Sequence, residues 1–77
     1  MTKPRKKKSF VVCLSNEGYA ASLEPRKIYV ALRDAEAERN GLLRVIDESG
    51  EDYLYARSHF AKVKLSRALE QALVAAG

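Results

Sequence analysis

Apolar residues in this chain come in short runs broken by turn residues, and most of the runs are too short for helices. Phe10-Val11-Val12-Cys13-Leu14 is apolar, partly β-branched and closed by Ser15-Asn16-Glu17-Gly18, which reads as a buried strand and a turn. Lys27 to Arg33 is a second strand. Ile28, Val30 and Leu32 alternate onto one face, and Tyr29, Ala31 and Arg33 onto the other. If the aliphatic face is the core, Tyr29 points out. Pro25, ahead of this strand, fixes its own φ and lacks a donor, so it belongs to a turn. Leu42 to Asp47 and Tyr53 to Ala56 are strands joined by the Glu48-Ser49-Gly50-Glu51 hairpin, and Phe60 to Leu65 is a fifth. Arg57-Ser58-His59 makes a tight connection with room for one 3-10 turn.

Two stretches have helical spacing. Asp34 can cap a short helix over Ala35 to Arg39, and Asn40-Gly41 ends it. Ser66 can cap a last helix in which Leu69, Ala72, Leu73 and Ala76 form one apolar stripe. A helix this short is marginal alone in water, so it is expected to dock on the sheet, at an open end of the barrel.

The resulting expectation is a mainly all-β domain: a five-stranded SH3-like barrel with a short helical turn between strands 2 and 3 and a C-terminal helix. Asn16-Glu17-Gly18-Tyr19, Leu23 to Tyr29 and, most specifically, Gly41 to Tyr55 (Gly-Leu-Leu-Arg-Val-Ile-Asp-Glu-Ser-Gly-Glu-Asp-Tyr-Leu-Tyr) carry a likeness. Over about residues 10–65 the chain resembles a group of short bacterial proteins with an SH3-like barrel. That family pattern has a glycine just before the Lys-Ile-Tyr strand, where this chain has Pro25-Arg26. The resemblance implies a fold and no activity, because such barrels host many functions.

Charge divides the chain. Lys3, Arg5, Lys6, Lys7 and Lys8 hold five of the fourteen basic residues, with no acid among them. Like charges in a row repel, so residues 1–8 read as a disordered basic tail and residues 9–77 as the domain. Residues 9–77 carry nine basic and ten acidic residues, so the net +4 belongs to the tail. The apolar run from Phe10 is too short for a signal segment or a membrane span, which points to a cytoplasmic protein without a membrane partner.

Candidate chemistry is sparse. Cys13 is the only cysteine and His59 the only histidine. Neither a disulfide framework nor a zinc set can be built from them. Cys13 within an apolar strand reads as an inert core thiol. His59 has no nucleophile or orienting carboxylate beside it in sequence and reads as a surface or loop-packing side chain. The acidic residues Asp47, Glu48, Glu51 and Asp52 do not fit a twelve-residue calcium loop and read as a solvated hairpin tip. No catalytic residue, metal or cofactor is expected, and the chain is read as a non-enzyme.

Tyr29, Tyr53 and Tyr55 are the candidate ligand surface. Tyr53 and Tyr55 share one strand face, and exposed aromatics on small barrels dock extended peptides or stack on bases. Ordinary half-buried strand tyrosines are the competing reading. The preferred function is a protein-interaction module with an aromatic surface and a protein or peptide partner. The alternative is nucleic-acid binding, with Lys3, Arg5, Lys6, Lys7 and Lys8 on phosphates and the tyrosines stacking. The expected state is a monomer or a weak homodimer, the latter through an open edge at Phe10 to Leu14.

Overall fold

The computed structural model describes residues 8–76. Five antiparallel strands form one sheet: β1 (Lys8–Cys13), β2 (Ile28–Leu32), β3 (Leu42–Ile46), β4 (Asp52–Ala56) and β5 (Phe60–Val63). Helix α1 (Ala35–Arg39) lies between β2 and β3, a 3-10 turn (Arg57–His59) precedes β5, and helix α2 (Arg67–Ala76) ends the described chain. The strand order is β4-β3-β2-β1-β5, a meander whose last strand returns to pair with the first. This is a small, mainly β fold of barrel-like form. Strand β1 begins at Lys8, so that residue belongs to the sheet; the expected disorder of the rest of the tail concerns residues outside those described.

The turns follow local chemistry. Asp34 Oδ1 accepts from the Ala37 amide at 3.1 Å, and Glu38 returns a bond to the Asp34 amide at 3.0 Å, which caps α1. Gly41 and Gly50 have φ of +74° and +84°, where other residues are strained. Arg26 has φ of +68° without being glycine. The Lys27 amide reaches the Glu24 carbonyl at 3.4 Å, so Glu24-Pro25-Arg26-Lys27 is a turn with proline second and a left-handed residue third. Arg26 thus holds a left-handed conformation that suits glycine better, at a cost of roughly 1–2 kcal/mol for its Cβ. Arg26→Gly is expected to raise stability by about 0.5–1 kcal/mol, after the gain is offset by the freer unfolded chain. Urea unfolding with an unchanged slope checks this.

The core lies on the face that all five strands share. Val11 and Cys13, Tyr29 and Ala31, Leu43 and Val45, Tyr55 and Phe60 meet there, and Leu23 closes it from the long first loop. The expected orientation of β2 is therefore reversed: Tyr29 and Ala31 point in, and Ile28, Val30 and Leu32 lie half-buried on the outer face. The register shows why. Val11 stands opposite Tyr29, and Ala31 opposite Val45, so the inward set of β2 is fixed by both neighbours. A central strand of a tightly curled sheet is apolar on both faces, so alternation alone does not choose between them.

Two further expectations are corrected. Strand β1 is not an open edge, because it pairs with β2 on one side and β5 on the other. The edges of the sheet are β4 and β5. Helix α2 starts as expected, with Ser66 Oγ accepting from the Leu69 amide at 3.2 Å. It does not plug an end with its whole stripe, since Leu69 and Ala72 are exposed. Leu73 is half-buried and sits on the outer face of the sheet, beside a groove shared with Phe10, Ile28, Val30 and Ile46.

Candidate functional site

The three tyrosines have different fates. Tyr29 is 5 % exposed and Tyr55 is 4 % exposed, whereas Tyr53 is 51 % exposed. Tyr53 and Tyr55 do share a face of β4. But Tyr53 stands near the start of an edge strand, opposite the core residue Val45, and half of it stays exposed. The aromatic strip expected across β2 and β4 does not exist as a surface.

The buried tyrosines instead fasten two loops to the sheet. The Tyr29 ring packs edge-on to Phe60 at 6.5 Å, and its hydroxyl leaves the core at the far end. That hydroxyl accepts from the Glu24 amide at 2.7 Å and donates to Glu48 at 2.6 Å. Glu48 also receives Lys27 Nζ at 2.6 Å. Lys27 and Tyr29 hold the Glu48 carboxyl below its usual pKa, while burial and the Glu48 charge push the Tyr29 phenol well above its own. Tyr55 does the same work from β4, on the far side of β3. Its hydroxyl donates to Asp47 at 2.6 Å and shares a hydrogen bond with Ser22 at 3.0 Å.

Asp47 corrects the reading of the acidic hairpin as uniformly solvated. It is buried, and it accepts from the Ser49 amide at 2.9 Å and the Ser49 hydroxyl at 2.6 Å as well as from Tyr55. Burial works to raise its pKa, but those three donors outweigh burial and the net shift is downward. Glu48, through its amide to the Ser22 carbonyl at 3.0 Å, ties the hairpin to the first loop once more. Asp52 pairs with Arg44 at 3.0 Å, and Arg44 also pairs with Asp34 at 2.9 Å. Glu51 is exposed and makes no ion pair among the described residues.

What the loops expose is a small apolar patch. Tyr19, 40 % exposed, stacks edge-on to Tyr55 at 4.9 Å. Tyr19, Tyr53 and Leu54 surround a shallow depression of about 340 Å³, with Ser22, Asp47 and Tyr55 also lining it. Leu54 is 42 % exposed. The exposed carboxylates Glu17 and Glu51 each stand two residues before one of the patch tyrosines. Sequence reasoning found Tyr53 and missed Tyr19 and Leu54. The available signal was the loop's one aromatic residue, directly after the Asn16-Glu17-Gly18 turn.

Cys13 is fully buried, and burial pushes its thiol pKa up despite a contact to the Ser15 carbonyl at 3.4 Å. His59 is half-buried at the end of the 3-10 turn, 5.7 Å from the Tyr19 ring, with Nδ1 buried and unpartnered. Among the described residues, no group of three or more His, Cys, Asp or Glu side chains is placed to hold a metal ion. Of the basic tail, Lys8 is exposed at the start of β1, and Lys3, Arg5, Lys6 and Lys7 lie outside the described residues. None of the described helices is long and apolar enough to cross a membrane. Searches against protein families, curated proteins and solved structures return no match.

Proposed function

We propose that the chain is a non-enzymatic, cytoplasmic protein-interaction module of SH3-like form, which docks an extended, basic, proline-containing peptide over Tyr19, Tyr53 and Leu54. One observation carries this reading: three neighbouring apolar side chains stay exposed around a depression whose floor is a satisfied hydrogen-bond network. Exposed rings held on a rigid floor suit a peptide that is already extended, because little order is lost on either side. Glu17 and Glu51 add negative charge beside the patch and favour basic flanks in the ligand. The resemblance to short bacterial proteins with SH3-like barrels agrees with this fold assignment. The strand order, the long first loop, the tight hairpin and the 3-10 turn before the last strand support it too.

The test is an amide-correlation NMR titration with a proline-rich peptide flanked by arginines. Shifts are expected around Tyr19, Tyr53 and Leu54, and Tyr53→Ala is expected to weaken binding by about tenfold or more. Tyr53 is exposed, so its removal leaves the fold intact. Binding that is unchanged in Tyr53→Ala, or no shift at that patch, refutes the reading.

A further inference from the structure

The sheet has a second concavity at its other end. Lys8 opens β1, Arg33 follows β2, and Arg57 follows β4, so the strand directions bring all three to the end remote from the 47–51 hairpin. Lys62 on β5 stands opposite Val11 and joins them. These four cations line one cavity of about 510 Å³, with Val11, Ala31, Leu43 and Phe60 among its apolar wall. Glu38 is the one acid on the lining and pairs with Arg33 at 3.6 Å. Lys8, Arg57 and Lys62 are exposed and make no ion pair among the described residues. The domain's net charge of −1 over residues 9–77 thus conceals a basic mouth. In sequence, Lys3, Arg5, Lys6 and Lys7 come shortly before Lys8.

We propose that this mouth binds the backbone of single-stranded nucleic acid, with Arg33, Arg57, Lys62 and Lys8 as its phosphate contacts. Charge complementarity selects a polyanion. Three unneutralised cations around an opening, continuous in sequence with four more, match a ligand that carries one charge per nucleotide over many nucleotides. Two of the four are arginines, whose planar forks suit phosphate oxygens. This site is separate from the peptide patch and shares no residue with it.

Fluorescence anisotropy of a labelled fifteen-nucleotide oligo(dT) with the full chain tests it, at low and moderate salt. Arg57→Gln with Lys62→Gln should weaken low-salt binding by about tenfold or more and flatten the salt dependence by roughly 1.4 in log–log slope, two contacts at ~0.7 each. The charge-matched pair Arg26→Gln with Arg39→Gln, outside the mouth, should weaken binding by no more than a factor of about two to three. Equal losses in both pairs would show that only overall charge matters and would overturn the site. So would undiminished binding by the first pair, which would assign binding to the tail alone. Absence of binding at low salt overturns it as well. Equal affinity for poly-glutamate of matched charge would reassign the mouth to acidic proteins. Because Tyr53→Ala does not touch this cavity, the two proposals fail independently.

Discussion

Leu23→Ala is expected to lower the stability of this domain by about 3 kcal/mol, the largest effect of any single aliphatic truncation outside the strands. Leu23 belongs to the long loop between β1 and β2, yet it is fully buried against the inward residues of the sheet. The loop around it is already held: the Leu23 amide bonds the Tyr19 carbonyl at 2.9 Å and Asn16 bonds the Leu23 carbonyl at 3.2 Å. A backbone held on both sides cannot collapse into the space left by the missing side chain, so the cavity term adds to the lost burial. A domain of this length has a total stability on the order of 4–12 kcal/mol, so about 3 is a large share of it. The melting temperature should fall by roughly 12–24 °C, at 4–8 °C per kcal/mol for a domain of this size. Leu14→Ala is the control. That leucine is largely exposed, and its truncation should cost under ~0.5 kcal/mol. Equal losses in the two variants would mean that the loop does not close the core.

Asp47→Ala should cost about 2–3 kcal/mol, because it strips one buried acceptor from three donors at once. Ser49 loses partners for its amide and hydroxyl, and the Tyr55 hydroxyl keeps only Ser22. Tyr55→Phe removes one donor and leaves Asp47 bound to Ser49, so it should cost about 1 kcal/mol. The same carboxylates set the acid limb of stability. The folded-state pKa values of Asp47 and Glu48 are both lowered, so the folded state binds their protons less readily than the unfolded chain does. Their stabilisation is complete above the unfolded values, near pH 4, and is lost as pH falls through the folded ones. Asp47→Asn should therefore lower urea midpoints clearly at pH 6, and by progressively less as pH falls below about 4. A variant whose stability runs parallel to the parent's across that range would contradict the assigned role of Asp47.

Much of the fold was legible because the turns are chemically explicit. Asn16-Gly18, Asp34, Gly41, Gly50 and Ser66 each sit where their backbone or capping chemistry is used, and the strands are what lies between. The site was less legible, for a physical reason. Hydropathy sorts Tyr29 below Ile28 and Val30, so it assigns the ring to the surface. In the fold the ring is buried and only its hydroxyl reaches the loops, a split within one side chain that no residue-level scale resolves. Tyr55 and Asp47 were misplaced together, since each is buried on account of the other. The basic mouth was hidden by addition: a sum over residues 9–77 cancels charges that the topology keeps apart. Arg26 shows the converse: Pro25 announces the turn, and its left-handed third position is held by an arginine that turn chemistry does not single out.

The return of β5 to β1 also has a consequence in time. Strand β1 can pair with β2 as soon as residue 32 is made, but its other side waits for partners roughly fifty residues further along. During synthesis on the ribosome, Phe10 to Cys13 therefore offers an open hydrogen-bonding edge, and Val11, Cys13 and Tyr29 lack the cover of Phe60. Nascent chains are most prone to stick to one another in that interval. Lesions in the last strand should accordingly show first as lost soluble yield in the cell, ahead of any change measured on the purified protein.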